Sequence, residues 1–353
     1  MRAARTSSID LAGPLIAWFA RVRRDLPWRA EPRDPYRVWV SEVMLQQTRV
    51  DVVVPYYLRF IARFPTLRAL ARAPLDEVLA LWSGLGYYAR ARNLHKAAQA
   101  AGAALPKTAA LLRELPGFGP YTAAAVASLA FGEDVPLVDG NVARVLARVL
   151  GLPGDAAQAR VLAWEAVPAL LPHGQAGVFN EALMELGALV CTPRSPRCAE
   201  CPLESQCKAA KRGDPESVPL PKPRKPRPQL TWAAAALFRK GALLLSRRGP
   251  GELFEGLWDL PSAPVTEAGA AAAALDAARS CGLSAALVPA GEVRQTLTHR
   301  EVHVLLFRGE ARGRSAGVGG ARELRWVRAP QLSELGLSSL ARKSLHFVGV
   351  SSP

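Results

Sequence analysis

The chain has 353 residues, half of them apolar, and its 45 Lys and Arg against 30 Asp and Glu give a formal net charge of +15. Because single domains usually stop growing at about 250 residues, we expect two domains. No apolar stretch has membrane-spanning length and the first residues lack the apolar core of a signal peptide, so we expect a cytoplasmic protein. The charge favours a polyanionic partner such as nucleic acid, although solubility alone explains it about equally well.

The pattern of apolar and breaking residues divides the chain into three parts. Residues 1–212 are rich in helical periodicity, with prolines between segments of helix length, and predict an all-α domain. The stretch GDPESVPLPKPRKPRPQ, residues 213–229, predicts an extended linker because its alternating prolines favour solvated chain. Residues 230–353 contain strand patterns, a hairpin turn near Gly241 and two helical segments, which predict an α+β domain.

A glutamate lies inside an apolar helical segment, PYRVWVSEVMLQQTRV, residues 35–50. A lone Glu in such a helix is more often at the solvent boundary. If Glu42 faces a pocket instead, burial raises its pKa and keeps it a proton donor near neutral pH. Glu42 is therefore a candidate general acid.

The stretch LRELPGFGPYTAAAVASLAFG, residues 112–132, predicts two helical segments joined by a tight turn. Gly117 and Gly119 allow positive φ in the turn and bring backbone N–H groups to the surface, where the next helix can receive a phosphate. This is the arrangement of a helix-hairpin-helix that holds one DNA strand without reading its sequence. Any tight turn between two helices could also use such glycines.

A second carboxylate precedes a helix in VDGNVARVLARV, residues 138–149. Asp139 fits a helix N-cap, which is the common role of Asp at this position. A carboxylate held there can also stay ionised and face a sugar cation, so the two roles are compatible. With Glu42 as acid and Asp139 as anion, the pair suits dissociative cleavage of an N-glycosidic bond.

Four of the five cysteines follow the pattern C-x6-C-x2-C-x5-C. In a reducing compartment such thiols rarely form disulfides, so a metal or iron–sulfur site is expected. One compact loop supplies all four thiolates, unlike the two separated pairs usual in zinc sites, although a zinc knuckle stays open as the alternative. The candidate ligands are Cys191, Cys198, Cys201 and Cys207.

Motifs along the first domain resemble, in order, the MutY family of adenine DNA glycosylases, which belongs to the helix-hairpin-helix superfamily. They are PWR (27–29), SEVMLQQT (41–48), GLGYYARARNLHKAA (84–98), LPGFGPYTA (115–123), VDGNV (138–142) and FNEALMELGALVCTP (179–193). The cysteine loop, 191–207, is similar to the [4Fe-4S] loop of endonuclease III and MutY enzymes, and GELFEGLWDLPSA (251–263) resembles their Nudix-like domain. The resemblance implies an all-α glycosylase domain with a [4Fe-4S] cluster, followed by an α+β Nudix-like domain.

The resemblance also implies roles for individual residues. Glu42 would protonate adenine N7, and Asp139 would be the electrostatic stabiliser or transient nucleophile. The other implied residues are Tyr121 and Asn141 in support of catalysis, Trp28, Arg29 and Glu181 around the flipped adenine, Gln47 and Tyr87 as wedges in the duplex, and Gly117 and Gly119 on the DNA backbone. Each of these positions could instead be ordinary helix surface or core.

Tyr121 stands where endonuclease III carries a lysine, whose amine forms a Schiff base with the sugar and cuts the strand. Because no amine is available at this position, we expect a monofunctional glycosylase with weak or no AP lyase activity.

The second domain lacks the acidic helix of catalytic Nudix enzymes. The corresponding stretch, AAAALDAARSCGL, has Asp276 as its only acid, so pyrophosphate hydrolysis with Mg²⁺ is not expected. The stretch QTLTHREVH is similar to the family's Phe-Ser-His loop for 8-oxoguanine, with Leu297, Thr298 and His299 in its place. Thr298 keeps a hydroxyl donor and Leu297 lacks an aromatic ring, while His299 could equally be an ordinary strand histidine.

Taken together, these features predict a monomeric enzyme of base excision repair that removes adenine opposite 8-oxoguanine or guanine in duplex DNA, in the cytoplasm and associated with the nucleoid when bound. Within the same superfamily, a thymine mismatch glycosylase or an endonuclease III-like enzyme is the alternative. A non-catalytic iron–sulfur protein that binds DNA or senses redox state is the alternative from another class.

Overall fold

We describe residues 10–221, 226–313 and 323–350 of a computed structural model of the chain. Within these residues the named helices dominate up to residue 211 and the named strands begin only at residue 229, as the sequence pattern predicts. No helix of the described residues is long and apolar enough to cross a lipid bilayer.

The chain forms two compact units. Unit 1 consists of Met1–Ala71 and Lys96–Arg224, and unit 2 consists of Arg72–His95 and Lys225–Pro353. Unit 2 therefore includes a helical segment, Arg72–His95, that lies inside the predicted all-α domain in sequence. Four residues of the predicted linker, 222–225, lie outside the described residues.

The helices and strands of the described residues have the following bounds. The helices of the N-terminal part are α1 Ala12–Val22, α2 Pro35–Leu45, α3 Val50–Arg63, α4 Leu67–Arg72, α5 Leu75–Trp82, α6 Ala89–Ala101, α7 Ala109–Leu112, α8 Pro120–Phe131, α9 Gly140–Leu150, α10 Ala156–Ala166, α11 Ala176–Leu189 and α12 Lys208–Lys211. The C-terminal part contains β1 Gln229–Arg239, β2 Ala242–Arg247, β3 Trp258–Asp259, β4 Ser262–Pro264, α13 Ala270–Ser280, β5 Val288–Thr296, β6 Glu301–Glu310, β7 Leu324–Val327 and α14 Ser339–Phe347.

One hydrophobic core cluster of unit 1 is formed by α8, α9 and α11 with α1 against them. Helix α8 is buried over most of its length, and its alanines allow α2 and α11 to pack closely on either side of it. Gly187 of α11 lies against α9, where an added Cβ would stand 2.5 Å from the Cβ of Asn141. Glycine at this position therefore lets α11 approach the first turn of α9.

Unit 2 contains a mixed sheet with the strand order β3-β2-β1-β6-β5. Strand β1 is parallel to β6, and the other pairs, including β4 with β1 and β7 with β2, are antiparallel. The predicted hairpin turn between β1 and β2 is present, with positive φ at Lys240 and Gly241.

Helices cover both faces of this sheet, which explains why β1 is a run of apolar residues rather than an alternating pattern. Ala235 and Leu237 face α13, while Ala234 and Ala236 belong to the core on the opposite face, with α14. Side chains of a strand alternate between faces, so a strand covered on both sides must be apolar throughout.

The helical segment Arg72–His95 packs against the C-terminal part within unit 2. The backbone carbonyl of Leu337 accepts hydrogen bonds from the hydroxyls of Ser83 and Tyr88, the latter at 3.1 Å. Arg342 Nε donates to Ser83 Oγ at 3.0 Å, and Arg247 forms an ion pair with Asp76. These contacts join α5 and the following loop to the sheet and to α14.

Candidate active site

Unit 1 contains a cavity of about 1130 Å³ between α2, α8, α9 and α11. Ten residues that the sequence singled out line it: Trp28, Arg29, Glu42, Gln47, Gly117, Gly119, Tyr121, Asp139, Asn141 and Glu181. The structure therefore brings together residues that are up to 153 positions apart in the chain, from Trp28 to Glu181. Tyr87 and the loop of Leu297, Thr298 and His299 belong to unit 2.

Glu42 lies on α2 and is 5% exposed. The helix begins with Pro35 after Asp34, whose carboxylate accepts the backbone N–H of Tyr36 and Arg37 and so caps it. The Tyr121 hydroxyl donates to Glu42 Oε2 at 2.5 Å. Burial raises the pKa of Glu42 to about 7, and the hydrogen bond from Tyr121 opposes this rise without cancelling it. Glu42 is therefore placed inside the cavity as a weak acid, not at the solvent boundary.

Asp139 is the N-cap of α9 and also lines the cavity. Its Oδ1 accepts the backbone N–H of Val142 at 2.7 Å, and its Oδ2 accepts from the Asn141 side-chain amide at 3.1 Å. Burial raises the pKa of Asp139, while the N–H groups of Val142 and Asn141 and the charge of Arg144 act in the opposite direction. The capping role and a position facing the cavity thus coexist in one carboxylate.

Arg144, which the sequence reasoning missed, connects this carboxylate to the cysteine loop. Its Nη2 donates to Asn141 Oδ1 at 2.9 Å and to the Gly187 carbonyl at 2.8 Å, and its Nε donates to the Cys191 carbonyl at 2.8 Å. The signal in the sequence is the spacing of three residues between Asn141 and Arg144, which puts them on one face of a helix.

A network of buried charges forms one wall of the cavity. Glu181 pairs with Arg29 at 3.1 Å and Arg33 at 2.8 Å, while Glu185, one turn later on α11, pairs with Arg24 at 2.7 Å and Arg29 at 3.1 Å. Burial alone would raise the pKa of Glu185, but the hydrogen bonds from Arg24 and Arg29 outweigh it and lower the pKa to about 2. The sequence analysis identified Arg29 and Glu181 as candidate site residues. It did not identify Arg24, Arg33 and Glu185.

The turn between α7 and α8 has the predicted form with one correction. Gly117 has φ of 78°, a conformation that favours glycine, but Gly119 has φ of −76° and is the extended N-cap of α8. An added Cβ at Gly119 would meet no atom within 4 Å, so the face of this turn is open. Phe118 between them is buried and stacks on Trp39.

The two predicted wedge residues share an uncommon backbone conformation. Gln47 has φ of 59° and Tyr87 has φ of 49°, and both side chains are exposed. Non-glycine residues in this region are uncommon and cluster at functional sites. In unit 2 the Tyr87 hydroxyl is 2.5 Å from Thr298 Oγ1.

The loop between β5 and β6 carries the three predicted 8-oxoguanine contacts. Leu297 packs against the core on the α14 side of the sheet, whereas Thr298 and His299 are exposed. The Leu297 N–H donates to the Arg300 carbonyl at 2.8 Å and closes the turn. Thr298 and His299 are therefore the two side chains of this loop that are open to a ligand.

The four clustered cysteines line a second, small cavity of about 20 Å³ beside α9. Buried Arg148 of α9 donates to Cys191 Sγ at 3.3 Å, and also to the carbonyls of Thr192, Pro193 and Val218. Arg148 thereby holds the start of the loop, residues 191–193, and the segment at Val218 against the helix.

The chemistry of this donor set fits a polynuclear cluster. Four cysteine sulfurs from one compact loop line the same small cavity, and thiolates in this number are the ligands that iron–sulfur clusters use. Burial and the neighbouring thiols raise the pKa of Cys201 to about 12, so its thiolate form needs a cationic centre beside it. When bound, such a cluster supplies that charge and fixes the loop.

Three family models match the chain. The model for the HhH-GPD superfamily of base excision DNA repair proteins matches residues 40–169, and the model for the NUDIX domain matches residues 233–346. The model for the iron-sulfur binding domain of endonuclease III matches residues 191–207. The last match agrees with the cysteine loop, which holds a [4Fe-4S] cluster.

Named relatives and one solved structure extend these matches. Adenine DNA glycosylase of Homo sapiens is 39% identical over 309 residues, covering 71% of this chain and 57% of the relative. Adenine DNA glycosylase of Arabidopsis thaliana is 34% identical over 397 aligned residues, covering 93% of this chain and 62% of the relative. The structure of a thermostable thymine-DNA glycosylase is 30% identical with a TM-score of 0.51, covering 56% of this chain and 94% of that one.

The chain thus spans little more than half the length of the curated relatives named above. The helical fold with its hairpin, the cysteine loop and the mixed sheet agree with all three family models in their order along the chain. The chain belongs to the HhH-GPD superfamily of base excision DNA repair proteins, and it is similar to the adenine DNA glycosylases, with a C-terminal Nudix-like domain.

Proposed function

We propose that this protein excises adenine from duplex DNA where adenine is mispaired with 8-oxoguanine or guanine, as a step of base excision repair. The observation that carries the proposal is a buried Glu42, with a pKa of about 7, in the same cavity as Asp139. The names of the relatives, which are adenine DNA glycosylases, support the same substrate. We also propose that the protein acts as a cytoplasmic monomer on DNA.

The reaction follows from the two carboxyl groups. With the extruded adenine between Trp28, Arg29 and Glu181, protonated Glu42 donates its proton to adenine N7. The C1′–N9 bond then breaks with its electron pair passing to the purine, and Asp139 stabilises or transiently captures the sugar cation. Water adds to C1′ and gives up a proton to the Glu42 carboxylate, which restores the acid.

Strand cleavage is not part of this mechanism. A Schiff base with the sugar needs an amine, and no lysine is present among the described residues that line the cavity. Tyr121 occupies the position after the hairpin and donates its hydroxyl to Glu42 instead. The product is therefore an abasic site in an intact strand.

Unit 2 is proposed to recognise the opposing base rather than to hydrolyse nucleotides. Thr298 and His299 are exposed at the tip of the β5–β6 loop, and Tyr87 lies within hydrogen-bond distance of Thr298. Asp276, the acid of α13, pairs with Arg279 at 2.9 Å on the surface. A single exposed carboxylate in this helix is a poor site for the Mg²⁺ ions that pyrophosphate hydrolysis requires.

The Glu42→Gln variant tests the proposal. Single-turnover release of adenine from a duplex with adenine opposite 8-oxoguanine should fall by at least about a hundredfold, while duplex binding is retained. Glu165→Gln, at an exposed position of α10, is the matched control and should release adenine at the wild-type rate. Unchanged release by Glu42→Gln would remove Glu42 from the mechanism.

The similarity to a thymine-DNA glycosylase makes thymine excision the second candidate. Excision assays with adenine or thymine opposite guanine and 8-oxoguanine separate the two, and we expect release of adenine alone. No release from any duplex, with binding intact, would favour a non-catalytic iron–sulfur protein. Point variants at Thr298 and His299 suit these assays better than truncation near residue 215, because Arg72–His95 packs within unit 2.

A further inference from the structure

The arginines that line the cavity of unit 1 differ in how their charges are compensated. Arg24 and Arg29 are paired with Glu185 and Glu181, and those pairs are largely buried. Arg49 pairs with Asp51 at 2.9 Å on the rim. The fourth, Arg160 of α10, has no carboxylate within ion-pair distance among the described residues.

Arg160 stands at the edge of the cavity where α9 begins. Its Nη2 is 3.5 Å from the carbonyl of Val138, directly before Asp139. Its charge acts on the Tyr121 hydroxyl, where it partly opposes the burial that raises the pKa of that group. The side chain is exposed, so the guanidinium reaches the cavity from the solvent side.

An uncompensated guanidinium at this position is suited to an anion. A guanidinium offers five N–H donors in a planar fork, and this geometry matches the oxygens of a phosphate. In Arg160 the long contact to the Val138 carbonyl uses only one of these donors. It is not suited to the sugar itself, because a guanidinium repels the cation that forms when the base leaves. The anions that must come to this edge are the phosphates on either side of a nucleotide whose C1′ faces Asp139.

We propose that Arg160 binds one of the two backbone phosphates that flank the extruded nucleotide and so positions its sugar over Asp139. The inference rests on the proposed function, because it takes the substrate to be a nucleotide drawn out of duplex DNA. Arg160 is a binding and positioning residue, and the proton transfer stays with Glu42.

Binding and salt dependence test the contact. The probe is a duplex with 2′-fluoro-2′-deoxyadenosine opposite guanine, in which the fluorine disfavours the sugar cation and prevents cleavage. Arg160→Gln should bind about tenfold more weakly and reduce the slope of log K against log salt by about one, as loss of one phosphate contact requires. Arg160→Lys should restore part of the binding, because it keeps the charge without the fork. Arg68→Gln, which removes an exposed charge of α4 away from the cavity, is the control for net charge and should keep the wild-type slope.

Neutral methylphosphonate linkages identify the phosphate. Substitution at the 5′ or the 3′ phosphate of the fluorinated nucleotide should weaken binding of the wild-type protein at one position and add nothing to Arg160→Gln at that position. Equal weakening of the wild-type protein and the variant at both positions, or an unchanged salt slope in Arg160→Gln, would overturn the proposal. Failure of the wild-type protein to release natural adenine, with this binding pattern intact, would overturn the proposed function and support the Arg160 contact.

Discussion

At the residue scale, the chemistry depends on a carboxyl group that is kept away from water. Glu42 is 5% exposed and hydrogen-bonded to Tyr121, and its pKa of about 7 keeps a large fraction of it protonated at neutral pH, where an exposed Glu is almost fully ionised and has no proton to donate. The raised pKa of Glu42 should affect both the rate of adenine release and the free energy of unfolding. The two effects can be measured in separate experiments.

The rate of adenine release should depend on pH through this group. Since Glu42 must be protonated to act, the single-turnover rate should be level below pH of about 7 and fall about tenfold for each further unit. Rates measured over this range with a saturating enzyme concentration give the apparent pKa of the bound complex. A rate that stays level well above the pKa of Glu42 would mean that another group protonates the base.

The free energy of unfolding should depend on the same ionisation. Folding raises the pKa of Glu42 from 4.5 to about 7, so the folded state binds this proton more tightly than the unfolded state does. The resulting stabilisation of the fold is complete below the unfolded-state pKa of 4.5 and is lost as the pH rises through the folded-state pKa of about 7. Glu42→Gln does not ionise, so its stability relative to the wild-type protein should increase by about 3 kcal/mol between these values. Urea unfolding at several pH values measures this, with Glu165→Gln as an exposed control whose difference from wild type stays flat.

Glu185 shows the opposite balance of burial and charge. Its carboxylate is 1% exposed and accepts from Arg24 and Arg29, which lower its pKa to about 2. Glu185→Ala should cost about 3 to 5 kcal/mol of unfolding free energy, because two guanidinium groups lose a buried partner. Asp276→Ala, which breaks an exposed pair with Arg279, should cost less than about 1 kcal/mol in the same urea experiment. Similar costs for both would show that the network contributes little.

At the scale of elements, α9 connects the two chemical centres of unit 1. Asp139 caps its first turn, Arg144 bonds to Asn141 on one side and to the Cys191 carbonyl on the other, and Arg148 one turn later reaches the cysteine loop. Spacings of three and four residues put these side chains on one face of the helix. The position of the cavity carboxylate therefore depends on the same helix that holds the loop.

Removal of Arg148 should weaken retention of the cluster. Arg148→Met keeps an apolar side chain of similar length in the core but leaves the carbonyls of Thr192, Pro193 and Val218 without their donor. We expect purified Arg148→Met to hold clearly fewer than the roughly four irons per chain of the wild-type protein. Arg194→Met, which removes an exposed arginine of the same loop that does not line the cysteine cavity, should keep its iron. Full iron in Arg148→Met would mean that the thiolates alone hold the loop.

At the scale of the whole molecule, the sequence predicted what depends on local pattern. Helical periodicity, the glycines of the hairpin and the cysteine spacing identified the elements, the turn and the cluster loop. It could not identify the partners of Arg24 and Arg33, because Arg24 and Glu185 are 161 positions apart and an arginine in a polar stretch carries no sign of its partner. Gly119 was expected to need positive φ and does not, since a glycine in a turn is compatible with either conformation.

The membership of Arg72–His95 in unit 2 was likewise beyond the sequence. This segment is helical, as its periodicity predicts, but its buried face packs against residues near 337, and Ser83 and Leu337 are 254 positions apart. Tyr87, in the turn between α5 and α6 of this segment, lies beside Thr298. Tyr87, the proposed wedge, and the loop of Thr298 and His299, which is proposed to recognise the opposing base, therefore belong to one packing unit. A change in that packing should affect both.

Gly336 is the position at which this packing can be tested. An added Cβ there would stand 2.6 Å from the Cβ of Leu79 on α5, so Gly336→Ala forces α5 away from the C-terminal part at a cost of about 1 to 3 kcal/mol. Hydrogen exchange should then increase in α5 and in residues 83–88, while α13 on the other face of the sheet exchanges as in the wild-type protein. Gly249→Ala, whose new Cβ would have its nearest neighbour at 3.8 Å, is the control and should leave exchange unchanged. Unchanged hydrogen exchange of α5 in Gly336→Ala would mean that α5 is held by α6 rather than by the residues near 336. Tyr87 and the loop that carries Thr298 would then move independently.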